Sequence, residues 1–249
     1  MSLLTARDLS VEGPDGTRLL DSISLSIDRG ETVLLAGPSG SGKSLLGMGL
    51  GGLLEDRPAL AVTGQVRRAG SVGVLFQNPK TQLVRRTVRS DVAFGLENRG
   101  VEPSVIRDRI ESWAGRLDAA HLLDRDIETL SRGETTLVAL LGILVTEPDL
   151  IVLDEPLSSL DARNRELVLE TIDELQRQTR TGLLVTEHDA SALLERADRA
   201  LVLESGAIVD AGAPRAVLGS LREAGIDLPF GTAVALEREE PVDRVPLSG

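Results

Sequence analysis

Eight consecutive residues limit what this chain can fold into more than any others: Gly37-Pro38-Ser39-Gly40-Ser41-Gly42-Lys43-Ser44. They follow the apolar run Glu31 to Ala36 and precede Leu45, Leu46, Met48 and Leu50, which suit a helix. Strand, glycine loop and helix in that order are the context of a P-loop. In such a loop, successive backbone N–H groups turn inward around phosphate oxygens, and the helix N-terminus adds partial positive charge. Lys43 is expected to reach the β- and γ-phosphates of a nucleotide, and the Ser44 hydroxyl to ligate Mg²⁺. The competing reading is an ordinary glycine-rich turn. With 25 Gly and 2 Lys in the chain, chance yields a G-x4-G-K match only about 0.02 times.

The rest of the composition narrows the class. A chain of 249 residues, 41% hydrophobic, holds one large domain or a core with a subdomain. Its longest apolar stretch, near Leu137 to Val145, is about half of a membrane span. The segment from Met1 to Asp8 does not read as a secretory signal. With no cysteine, disulfides and thiolate metal sites are excluded. A net charge of −12 argues against nucleic acid or an anionic membrane surface as a nonspecific partner, and favours a basic one. Positive charge is nearly all arginine, the two lysines being Lys43 and Lys80.

Leu3 to Val11 and Leu19 to Ile27 read as strands around the turn Gly13-Pro-Asp-Gly16. Pro58 and Gly64 bracket a short segment, and Ser71 to Phe76 reads as a buried strand. From Thr87 to Val145 the pattern is mainly helical, with Pro103 at a helix start. Strands return at Leu150 to Leu153, Leu183 to Thr186 and Ala200 to Leu203, with a helix over Ala162 to Gln178. The alternation predicts a mainly parallel sheet covered on both faces, with an antiparallel β part and a helical insert. Beyond Pro214 the pattern suggests a short helix and an acidic tail whose last eight or so residues are expected to be poorly ordered.

The second motif is Leu150-Ile-Val-Leu-Asp154-Glu155-Pro156, an apolar strand ending in two carboxylates. Alone, it is more readily a solvated turn. Downstream of a P-loop, Asp154 is expected to hold Mg²⁺ directly or through water, and Glu155 to polarise the attacking water.

With these residues in place, the chain resembles an ATP-binding cassette (ABC) ATPase over roughly residues 3–212. Further segments match the family in order and spacing. Gln77 resembles the Q-loop glutamine, which touches Mg²⁺ or water and senses the transport partner. Leu130-Ser131-Arg132-Gly133-Glu134 resembles the signature sequence, Ser159-Leu-Asp161 the D-loop, and His188 the switch histidine that contacts the γ-phosphate. His121 has no such context and reads as structural. The stretch Phe76 to Leu83, Thr87 to Asn98, Gly212 to Arg215 and Ala224 to Pro229 are similar to the energy-coupling factor ATPases of cobalt, nickel and vitamin uptake.

The resemblance implies an α/β fold: a P-loop NTPase (RecA-like) core with an antiparallel β subdomain and an inserted α-helical subdomain. The core and β subdomain would occupy about 1–78 and 148–212, the helical subdomain about 79–147, and a short C-terminal extension 213–249. It implies ATP and Mg²⁺ as cofactors, and Glu155, His188 and Gln77 as catalytic residues. Gly37 to Ser44, Asp154, Ser131, Gly133 and Asp161 would bind nucleotide, and Ser44, Gln77 and Asp154 the metal. One P-loop and one signature imply a second cassette, homo- or heterodimeric with the heterodimer favoured, and an integral membrane transport subunit at the cytoplasmic face of the cell membrane. Alternatives are another ABC importer or exporter, or a regulatory cassette that hydrolyses poorly. Two departures favour the last: Arg132 stands where the family usually has glycine, and Gly13 where an aromatic commonly stacks on adenine. Lys43, Asp154, Glu155 and His188 oppose it.

Overall fold

Strand and helix follow the residue patterns closely enough that the sheet can be built from them. The computed structural model describes residues 2–55, 57–187, 192–237, 242 and 247. Its strands are β1 (Ser2–Glu12), β2 (Arg18–Asp28), β3 (Thr32–Ala36), β4 (Ala61–Arg68), β5 (Val72–Leu75), β6 (Leu150–Asp154), β7 (Gly182–Thr186), β8 (Arg199–Glu204) and β9 (Ala207–Gly212). Its α-helices are α1 (Lys43–Gly51), α2 (Val88–Glu97), α3 (Pro103–Arg116), α4 (Arg132–Leu144), α5 (Ala162–Thr179), α6 (Leu218–Glu223) and α7 (Phe230–Glu237).

The larger sheet has the order β5-β6-β7-β3-β8-β9, parallel except for β9, which runs antiparallel to β8. Strands β3, β6 and β7 are buried along their whole length. Because side chains alternate between faces, each of these strands feeds two cores. Leu34, Ile151, Leu153, Leu183 and Val185 join α2 to α5 in one cluster. Val33, Leu35, Leu150, Val152 and Leu184 join β1, β2 and α1 in the other. Continuous apolar runs are what a sheet covered on both faces requires.

The smaller sheet is antiparallel, in the order β2-β1-β4. Strand β4 starts inside the segment that Pro58 and Gly64 were expected to bracket and runs through Gly64 to Arg68; its pattern is weak because the strand is largely exposed. Gly64 marks a bulge. It has φ +91, and a Cβ there would lie 2.4 Å from the Asp8 carbonyl oxygen, beside the register shift between Arg7 and Ser10.

One expectation is corrected, and two elements had not been anticipated. The expected buried strand Ser71 to Phe76 is the shorter β5, in which only Leu75 is buried, since β5 is the edge of its sheet. Strand β9 and helix α7 were not foreseen: β9 is half-exposed and so lacks a continuous apolar pattern, and α7 falls where an acidic tail was expected. The tail expectation falls almost entirely outside the described residues. Leu247, which is described, is buried and donates its N–H to Glu195 Oε1 at 2.9 Å.

Candidate nucleotide site

The carboxyl ends of parallel strands are where open α/β sheets place their ligands, and both motifs end there. The loop leaving β3 packs tightly: a Cβ on Gly37 would lie 2.1 Å from the Leu203 carbonyl oxygen, so this position excludes a side chain. Gly42 caps α1 with φ 106, a backbone conformation that glycine adopts without penalty. Lys43 is the first residue of α1, and its ammonium donates to the carbonyls of Gly37 at 2.6 Å and Pro38 at 3.1 Å. Burial lowers the Lys43 pKa, and the nearby charges of Glu155 and Asp154 act against that shift. A glycine loop that leads into a helix N-terminus and carries a lysine ammonium is a phosphate-binding arrangement.

Strand β6 delivers the carboxylates. Asp154 is buried and accepts a 2.6 Å hydrogen bond from the Thr186 hydroxyl at the end of β7. Glu155 turns out of the strand with φ 51, a left-handed conformation uncommon for a residue with a side chain. Its N–H donates to both the Thr186 carbonyl at 3.1 Å and the Thr186 hydroxyl at 3.2 Å. Gln77, beyond β5, donates from Nε2 to Glu155 Oε2 at 2.9 Å. The result is a cavity of about 400 Å³ lined by Ser39, Gly40, Gly42, Lys43, Ser44, Leu45, Met48, Gln77 and Glu155. Gly37, Pro38 and Ser41 build its loop, and Asp154 lies beside Lys43.

Other expected residues sit elsewhere. Ser131 caps α4 in a reciprocal capping box: Ser131 N–H donates to Glu134 Oε2 at 2.7 Å, and Glu134 N–H to the Ser131 hydroxyl. Gly133 packs beside the Ser159 carbonyl. Neither Ser131 nor Gly133 lines the P-loop cavity. Asp161 caps α5, its Oδ1 accepting from Asn164 N–H at 2.8 Å. Gly13 closes the β1–β2 hairpin through a bond to the Thr17 carbonyl. His188 lies outside the described residues.

A family model described as "ABC transporter" matches residues 20–158, which hold the P-loop, Gln77, the Ser131 segment and both carboxylates. The chain belongs to the ABC transporter family. Full-length relatives agree with this family. An energy-coupling factor transporter ATP-binding protein of Latilactobacillus sakei subsp. sakei (strain 23K) is 35% identical over 92% of this chain and 85% of its own length. Its counterpart in Halalkalibacterium halodurans is 39% identical over 88% and 82%. Among solved structures, cbiO1 from Clostridium perfringens, described as part of the ABC transporter complex cbiONQ, matches with a TM-score of 0.75. It is 27% identical, with 96% of this chain and 99% of that one covered.

The ABC cassette's donor chemistry suits magnesium. Among the described residues no group of three or more His, Cys, Asp or Glu converges as a metal cage. The site instead offers the Ser44 hydroxyl, the Asp154 carboxylate and the Gln77 amide, all hard oxygen donors. Mg²⁺ is ordinarily held by one or two protein oxygens, with substrate phosphates and water completing its shell. Two contributors lie just before His188, in the switch-histidine segment, and were given no role from sequence. Thr186 holds both carboxylate residues, and Glu187 accepts the Leu157 N–H at 2.9 Å, pinning the turn after Glu155. The available signal was a polar residue ending the otherwise apolar β7.

Proposed function

We propose that this protein is the ATP-hydrolysing subunit of an energy-coupling factor type importer, powering uptake of a small micronutrient, a metal ion or vitamin, through a membrane complex. The observation that carries the reading is the convergence of Lys43, Ser44, Gln77 and Glu155 on one cavity at the carboxyl ends of the sheet. The names of the relatives support the transport role. Among the described residues no helix is long and apolar enough to cross a membrane, so the reading places the cassette peripherally, bound to an integral membrane subunit at the cytoplasmic face.

In this reading the loop N–H groups and Lys43 hold the phosphates of ATP. Ser44, Asp154 and Gln77 would hold Mg²⁺, which supplies charge neutralisation at the β- and γ-phosphates. Glu155 accepts a proton from the attacking water as the bond to γ-phosphorus forms and the bond to the β-phosphate oxygen breaks. Gln77, bonded to Glu155, fixes the carboxylate's direction. His188 is assigned the γ-phosphate contact by resemblance. Residues 79–147 act as the helical subdomain between core and membrane partner, and 213–249 as an extension.

Ser131 and Gly133, remote from this cavity, are assigned to the nucleotide of a second cassette. A heterodimer is favoured, because Arg132 is an exposed charge on the signature segment and a regular signature from a different subunit would serve this chain's own site. The decisive measurement is steady-state MgATP hydrolysis by the cassette with and without its copurified membrane partner. Hydrolysis stimulated by the partner is expected. ATP binding without turnover in either preparation would overturn this reading in favour of a regulatory cassette.

A further inference from the structure

We propose that Thr186 is a positioning residue for the metal and nucleotide chemistry: one buried hydroxyl fixes the Asp154 carboxylate and the Glu155 backbone together. This inference rests on the proposed reading of the cavity.

The sheet order makes Thr186 the link between the two motifs. Strand β7 lies between β6 and β3, and Thr186 is the register partner of Asp154 on one side and of Leu35 on the other. It therefore ends its strand where the P-loop and the carboxylates both begin. Its side chain is fully buried, so its polar groups must find partners within the protein. The hydroxyl has one proton to give and lone pairs to receive. The proton goes to Asp154 Oδ1 at 2.6 Å, within the range of a charge-assisted O–H···O⁻ bond. A lone pair accepts the Glu155 N–H at 3.2 Å, alongside the carbonyl of the same residue.

Two consequences follow. With Oδ1 engaged, the carboxylate of Asp154 is locked against rotation, and Oδ2 is the oxygen left for a metal or its water. Glu155, held at φ 51, keeps its left-handed turn because both acceptors of its N–H belong to Thr186. Valine at this position would keep the shape and lose the hydroxyl. Serine would keep the hydroxyl. Partners that orient metal ligands typically influence metal affinity about 10- to 100-fold.

The test uses Mn²⁺ as a spectroscopic probe, titrated by electron paramagnetic resonance into the full chain with saturating ATP. Thr186→Val is expected to bind Mn²⁺ about 10-fold more weakly than the wild type. Its affinity for ATP in EDTA should stay within about two-fold, since the loop and Lys43 are untouched. Thr186→Ser should restore metal affinity. In the hydrolysing complex, the Mg²⁺ concentration for half-maximal rate should rise while the rate at saturating Mg²⁺ largely recovers. If Thr186→Val does not fold, Thr186→Ala carries the same comparison. Wild-type Mn²⁺ affinity in Thr186→Val, or failure of Thr186→Ser to restore it, overturns the assignment. A wild type that binds no Mn²⁺ with ATP overturns the reading of the cavity itself, which separates the two failures.

Discussion

The Glu155 carboxylate is the residue on which hydrolysis turns in the proposed reading. Its backbone is held by Thr186 and its Oε2 accepts from Gln77, so a substitution that preserves size leaves the surroundings intact. Glu155→Gln removes the proton acceptor while keeping an amide of the same shape. Turnover should fall at least about 100-fold, the lower bound for loss of a general base, while ATP remains bound. Single-turnover assays with radiolabelled ATP read this directly, and undiminished release of phosphate would strip Glu155 of the base role. At this scale the sequence was most legible where function is contiguous. Gly37 to Ser44 and Asp154-Glu155 are local strings. Thr186, 32 residues from Asp154, and Gln77, 78 residues from Glu155, meet their partners only through sheet order. Gln77 was found through its motif, whereas Thr186 stands at the head of the switch-histidine segment and was assigned no role from sequence.

Element by element, strands were readable in proportion to their burial. β3, β6 and β7 are apolar throughout because both faces are covered, whereas β4, with polar residues on an exposed edge, carries little pattern. Helix α4 shows how one segment can serve two ends. Its capping box ties Ser131 to Glu134, and Arg125 donates to Glu134 Oε1 at 2.6 Å. The Ser131 hydrogen bonds, with Arg125, hold the Glu134 carboxyl below its ordinary value of 4.5. Ser131→Ala removes the hydroxyl acceptor and leaves the backbone N–H bonded to Glu134. The loss should be about 1 kcal/mol, typical of an N-cap, seen as a lower urea midpoint. ATP affinity of the isolated chain should be unchanged, because Ser131 does not line the P-loop cavity. A weakened ATP affinity in that variant would place the signature segment in this chain's own site, against the proposed pairing of cassettes.

At the scale of the whole molecule, two hydrophobic clusters lie on opposite faces of one sheet, and polar ties decide how the segments entering that sheet are held. Asp149, just before β6, gathers three of them. Its Oδ2 accepts from the Ser71 N–H at 3.0 Å and from the Ser71 hydroxyl at 3.2 Å, before β5. Its Oδ1 accepts from Arg29 at 2.9 Å, at the turn before β3. The Ser71 backbone bond lowers the Asp149 pKa from its ordinary 3.8; burial opposes it, and bonds from Arg29 and the Ser71 hydroxyl add to the lowering. A carboxyl whose folded-state pKa is depressed binds fewer protons folded than unfolded. Its stabilisation is therefore complete above the unfolded value and is lost as pH falls through the lower folded one. Asp149→Asn keeps one acceptor oxygen and abolishes the charge. It should be less stable than the wild type by about 1–2 kcal/mol at neutral pH, the scale of hydrogen bonds to a charged group with the surface ion pair adding little. The two unfolding free energies, measured in urea from neutral pH downward, should converge only as pH falls through the lowered folded-state pKa of Asp149, below which both side chains are uncharged. A gap that stayed constant across that range would mean that Asp149 acts through shape and not through charge.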